Sequence, residues 1–203
     1  CESSLAYIKP PRCMKCGKHI GESGKEYCAD CAARVHLYDR GRALFSYRTV
    51  SASIARFKYQ GRREYAALYA ACMADALGDF IRECKADAFV PVPLHKSRKR
   101  ERGYNQAEVL ARELSVLTGI PVYGNLIGRV RKTAPMKELS AHDRQNNLKK
   151  AFKILRNDVE LSTIIIIDDI YTTGSTIDAM SRELKSAGVE QIYFMTLAVG
   201  RGI

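Results

Sequence analysis

Hydrophobic positions along the chain fall into runs of two kinds. LSTIIIID, residues 161–168, is apolar without alternation, the pattern of a strand covered on both faces in a parallel sheet. DAFVPVPL, residues 87–94, is a shorter strand whose prolines take it out of the sheet near its end. VEQIYFMTLAV (189–199) reads as the last strand, with further strand segments in IPVYGNLIGRV (120–130) and AFKIL (151–155). An alternating apolar segment opens the stretch 43–62. The second kind of run repeats every three or four residues. Tyr65, Leu68, Tyr69, Cys72, Met73, Ala76, Leu77 and Phe80 predict a helix within 63–84. Ala107, Leu110, Ala111, Leu114 and Leu117 predict another, stopped by Gly119, and Ile177, Met180 and Leu184 face inward from a helix over 176–187. A further helix places Ile54, Phe57 and Lys58 inward or along a surface and ends at Gly61. Strands alternating with helices predict an α/β domain with a largely parallel sheet flanked by helices.

The first part of the chain has a different logic. Cys13, Cys16, Cys28 and Cys31 form two CxxC pairs separated by a short polar stretch. Each pair presents two thiolates, and two pairs complete a tetrahedral sulfur shell, so the spacing predicts a structural Zn2+ knuckle. The intervening residues are too few and too polar for a core, and metal has to hold them together. Neither pair opens a helix after a buried strand, which disfavours a redox role. His19 and His36 could substitute as ligands, but are expected to be solvated. The expected organisation is a four-cysteine zinc-binding module over 1–38 and the α/β domain over 39–203.

Composition narrows the partners. Lys and Arg number 33 against 22 Asp and Glu, a formal charge of +11. That excess favours polyanions (nucleic acid, phosphorylated metabolites or an acidic protein surface) without choosing among them. No apolar run reaches the roughly 18 residues of a membrane span. The N-terminal residues show no signal-peptide pattern, although the chain begins at Cys1 and residues upstream are expected. Seven cysteines without a secretion signal suggest a reducing compartment, so the cytoplasm.

The chemistry concentrates in IIIIDDIYTTGST, residues 164–176. In an open parallel sheet, ligands bind at the carboxyl ends of strands, and Asp168 and Asp169 are expected to leave the sheet there. The tight loop 171–175 and the helix start after it turn backbone N–H groups toward an anion. Thr172, Thr173, Ser175 and Thr176 add hydroxyls, and Gly174 lets the backbone approach closely. This half suits a phosphate; two carboxylates beside it suit a ligand that also carries donors. A ribose 5-phosphate satisfies both, its 2- and 3-hydroxyls donating to the aspartates.

The same stretch resembles the phosphoribosyl pyrophosphate (PRPP) loop of type I phosphoribosyltransferases. VPVPLHKSRKRERGYNQAEVLAREL, RVRKTAPMKELSAHDRQNNLKKAFKI and the four-cysteine knuckle resemble the ComF family more narrowly. Met136 stands where that family usually shows glutamine after T-x-P. The resemblance implies that Asp168 and Asp169 hold the ribose hydroxyls and act in catalysis, with Thr172, Thr173, Gly174, Ser175 and Thr176 on the 5-phosphate. It implies that the basic loop with Lys96, Arg98, Lys99, Arg100 and Arg102 neutralises the pyrophosphate with Mg2+, the alternative being a solvated or nucleic-acid-binding surface. Asn105 or Gln106 faces the ligand or caps the helix. Segment 129–148 corresponds to the mobile hood, with Arg129, Arg131, Lys132, Arg144 and Asn147 as its polar candidates. The implied setting is natural competence and DNA uptake, with a helicase-like ATPase and single-stranded DNA as possible partners. Three functions remain open: a phosphoribosyltransferase, a PRPP-site protein acting in DNA uptake without catalysis, and a PRPP-sensing nucleic-acid binder. Among aromatic residues, Tyr59 and Tyr104 are the candidates for exposed base contacts.

Overall fold

The computed structural model describes residues 6–21, 24–130, 151–156 and 160–200. A one-turn helix, α1 (Ala29–Ala32), closes the cysteine-rich segment. Then follow β1 (Arg40–Ser46), α2 (Tyr47–Tyr59), α3 (Tyr65–Cys84), β2 (Ala88–Pro91), α4 (Lys96–Arg102) and α5 (Gln106–Thr118). β3 (Ile127–Arg129), β4 (Phe152–Ile154), β5 (Thr163–Tyr171), α6 (Ser175–Ser186) and β6 (Gln191–Val199) complete the order. The main sheet has four strands in the order β1-β6-β5-β2, and every pairing within it is parallel. β3 and β4 form a separate antiparallel pair, so these two predicted strands do not extend the parallel sheet.

The isoleucine run explains why β5 is central. Ile164 and Ile166 face one side, in a cluster with Tyr38, Phe194, Met180 and Leu184 of α6, and the buried Cys13 and Cys16. Ile165 and Ile167 face the other, with Phe57 of α2, Met73 and Leu77 of α3, and Leu110 and Leu114 of α5. All four isoleucines are fully buried. Alternation disappears because both faces of the strand are interior.

Helix faces differ from expectation in detail. Leu68 and Leu117 are 62% and 54% exposed, and Ala76 is exposed. Ala66, Ala70, Ile81 and Cys84 fill the inward face of α3. The face is set by where α5 and the sheet approach, and small alanines allow that approach. Gly119 ends α5 at φ 77°, as its position predicts.

β5 also runs further than expected. Asp168 pairs with Thr196 and Tyr171 with Val199, so both carboxylates project from the ladder and do not follow it. The reason is β6, which stays in register through Val199.

Gly41 in β1 lies against the ring of Phe194, and a Cβ there would overlap that ring. Phe194 is fully buried and stacks on Tyr171 at a centroid distance of 4.8 Å. Gly41→Ala should therefore destabilise the fold by about 1–3 kcal/mol, the usual cost of overpacking, read as a lower melting temperature.

Candidate functional site at the carboxyl end of β5

Adjacent parallel strands bring the site together. Pro91 pairs with Ile167, and the Val92 amide donates to the Ile167 carbonyl at 2.9 Å. The chain leaving β2 is thereby set beside Asp168. The predicted basic loop is in fact helix α4, with Ser97 N–H donating to Nδ1 of His95 and Gly103 closing it at φ 76°. Asn105 caps α5, accepting from Ala107 N–H, while its amide donates to the Val92 carbonyl at 3.0 Å.

The two carboxylates differ. Asp168 accepts from the Asp169 backbone N–H at 2.8 Å. Burial, and then the neighbouring Asp169 charge, raise the Asp168 carboxyl to about 7, with Lys58 and Arg129 pulling the other way. Asp169 forms an ion pair with Lys58 at 2.8 Å, both side chains being largely buried. Sequence reasoning placed Lys58 only on a helix face and missed this contact. The α2 periodicity carries no signal for a partner so far along the chain.

Beyond the pair, Gly174 takes φ 80° and begins α6, whose N-terminus has no side-chain cap. An uncapped helix start of this length leaves N–H groups for an anion. Thr173 and Ser175 share a hydroxyl hydrogen bond of 3.0 Å. The recess formed with Asp168, Tyr171, Thr172 and Thr176 is about 20 Å³, room for roughly one water. A phosphoryl group requires this loop to widen.

The predicted cations are dispersed. Lys96 is exposed and Arg98 half-buried. Arg98 lies within electrostatic reach of Arg129, and Arg129 of Asp168. Arg102 turns aside: it stacks over the Tyr59 ring at 4.8 Å and donates to Gln106 and to the Tyr59 hydroxyl. Gln106 is buried and donates to the Lys58 carbonyl. Tyr104 is also buried, donating to the Phe57 carbonyl beneath Arg63, so it offers no face to a base. Tyr59 is 64% exposed. Cys1, Arg131, Lys132, Met136, His142, Arg144 and Asn147 lie outside the described residues. Burial pushes the Cys84 thiol up to about 12, consistent with packing.

The cysteine module backs onto this site. The Sγ atoms of Cys13, Cys16, Cys28 and Cys31 all lie within 4.8 Å of one another. Cys16 and Cys28 are 3.7 Å apart, close to the edge of a tetrahedron with roughly 2.3 Å metal–sulfur bonds. The four thiols fit a metal such as zinc. Lys18 pairs with Asp30 across the module and sits over the Tyr171 ring. Tyr38 shares a 2.7 Å hydroxyl hydrogen bond with Tyr171.

His36, expected in solvent, is buried. It stacks on Tyr38 and donates from Nδ1 to Asp178 at 2.8 Å. Asp178, in the first turn of α6, also accepts from the Leu37 N–H. A Cβ at Gly174 would meet the Tyr171 hydroxyl and the His36 ring. The back of the loop is thus formed by Tyr171 of β5 and by His36, from the segment that follows the cysteines.

Asp168 holds a proton in the fold that an unfolded aspartate has lost, so its contribution to stability falls as pH rises from about 4 to about 7. Asp168→Asn should flatten that part of the melting-temperature profile and melt higher than wild type at pH 7.5. Metal analysis should give about one zinc per chain, and Cys13→Ser or chelation should lower stability by several kcal/mol; a metal-free chain of unchanged stability contradicts the sulfur shell.

The domain family described as "Phosphoribosyl transferase domain" matches residues 90–202, more than half of the chain. Competence protein F of Haemophilus influenzae is 33% identical, the match covering 98% of this chain and 94% of that protein. DNA utilization protein YhgH of Salmonella typhi is 30% identical over 89% of this chain and 80% of its own. Competence protein ComFC of Bacillus subtilis is 28% identical over 93% and 77%. A relative matched across nearly its whole length, and a domain match running from β2 through β6, together show that the chain belongs to the ComF family of the phosphoribosyltransferase superfamily.

Proposed function

We propose that the carboxyl end of β5 binds the ribose 5-phosphate part of PRPP, and that the chain transfers the phosphoribosyl group to an acceptor. The carrying observation is two adjacent carboxylates on a parallel strand followed by a glycine-started, uncapped helix. Thr172, Thr173, Gly174, Ser175 and Thr176 take the 5-phosphate, and Asp168 and Asp169 accept from the 2- and 3-hydroxyls. Charge-assisted hydrogen bonds of this kind contribute about 1.5–3 kcal/mol each. Because hydroxyl donors favour the ionised carboxylate, binding draws a proton off Asp168.

Transfer breaks the bond between C1 and the pyrophosphate and forms one to the acceptor. In this reading the aspartates stabilise positive charge developing on the ribose, and Lys96 and Arg98 of α4 serve the departing pyrophosphate. The position of Arg102 on Tyr59 makes it a brace for this region, reaching the ligand only after rearrangement. Mg2+ bound together with PRPP would supply charge neutralisation at the pyrophosphate, alongside Lys96 and Arg98. Positioning and charge stabilisation supply the catalysis. The module over 1–38 acts as a zinc-stabilised unit on the domain 39–203.

The relatives' names concern competence and DNA utilization, and the chain carries +11. Both favour a second reading: a non-enzymatic, PRPP-sensing accessory that binds DNA or a helicase-like ATPase on the cytoplasmic side of DNA uptake. Among the described residues, no helix is long and apolar enough to cross a membrane.

Calorimetry with PRPP and Mg2+ should give binding to wild type and none to the Asp168→Asn/Asp169→Asn variant; equal heats remove the sugar-phosphate reading. Pyrophosphate release with one of a panel of nucleobases and amines identifies the transferase. Intact PRPP binding with silence across the panel selects the accessory reading.

A further inference from the structure

Lys58 is delivered by α2, upstream of the matched phosphoribosyl transferase region. Its ammonium lies 2.8 Å from Asp169, with the two side chains 14% and 16% exposed. The backbone that carries it is fixed. The carbonyls of Phe57 and Lys58 accept from Tyr104 and Gln106. Arg102 covers Tyr59, and Arg63 covers Tyr104 while donating to the Gly103 carbonyl. The last turn of α2 is thus fastened to the segment joining α4 and α5. The ammonium itself ends a flexible four-carbon stem.

A buried ammonium needs a counter-charge wherever it sits. In this arrangement that charge is Asp169. When sugar hydroxyls occupy Asp169, the carboxylate's attraction is shared. With Asp169 on the 2-hydroxyl, whose carbon adjoins C1, an anionic substituent on C1 arrives beside the ammonium. Arg98 and Arg129 are within reach of each other on the Asp168 side, and Lys58 stands on the Asp169 side.

Building on the sugar-phosphate reading of the site, we propose that Lys58 is a specificity-determining residue that moves from Asp169 to the anionic group on ribose C1. It thereby favours ribose 5-phosphates carrying a diphosphate at C1 over those with a free C1 hydroxyl. Ribose 5-phosphate keeps the 5-phosphate and both ring hydroxyls but offers nothing for the ammonium to move to.

The test compares PRPP with ribose 5-phosphate by calorimetry at fixed Mg2+, on wild type, Lys58→Met, Lys58→Gln and Lys58→Arg. Melting curves of each variant establish that it is folded. The removed charge contact should weaken PRPP binding by about tenfold or more in Lys58→Met and Lys58→Gln. Ribose 5-phosphate affinity should stay within about threefold of wild type in the same variants. Lys58→Arg should recover part of the preference. A lysine that only holds Asp169 in place would weaken both ligands by the same factor, and that result overturns the inference. So does an unchanged PRPP preference in folded variants, which leaves the sugar-phosphate site itself standing. Failure of wild type to bind either ligand overturns the site reading and the inference together.

Discussion

Two carboxylates on consecutive residues at the end of a buried strand are an electrostatic liability, and the site is arranged around relieving it. Asp168 keeps its proton near neutrality because ionising it beside Asp169 in a poorly solvated place is unfavourable. Asp169 is paired with the Lys58 ammonium at 2.8 Å. Buried charged pairs of this kind often contribute little net stability, because desolvation offsets their attraction. On the proposed reading, a ligand with hydroxyl donors relieves this arrangement by satisfying both acids.

The loop at Gly174 packs against the segment that carries the cysteines. Gly174 has no room for a side chain, because Tyr171 and His36 already stand behind it. Those two rings are placed by Tyr38 and by Asp178, and the module contributes Lys18 and the buried Cys13 and Cys16 to the same core. A metal held by the four thiols would therefore also stiffen the wall behind Gly174. This gives the module a mechanical part in the site, alongside any surface it offers to a partner.

The sequence made some of this legible and hid the rest for physical reasons. An unbroken run of β-branched isoleucines reads as a strand covered on both sides, and two layers of core cover it. The loop 171–175 was legible because hydroxyls, glycine and a helix start are local features. Local patterns do not encode distant partners. Lys58 looked like an ordinary helix position, His36 like a solvated one and Tyr104 like an exposed aromatic, and their actual roles come from residues far away along the chain. The basic run 96–102 read as a loop because its charges hide any apolar period. It becomes a short helix because His95 and Gly103 give it two well-formed ends.

The central claim is that one pentose spans the acidic pair and the glycine-started loop. A crystal structure with ribose 5-phosphate bound tests this most directly. It should show the phosphate against the backbone of Thr173–Thr176 in a widened loop, and both ring hydroxyls within hydrogen-bond distance of Asp168 and Asp169. A phosphate bound elsewhere, with the loop closed and the ring hydroxyls away from both aspartates, would contradict it.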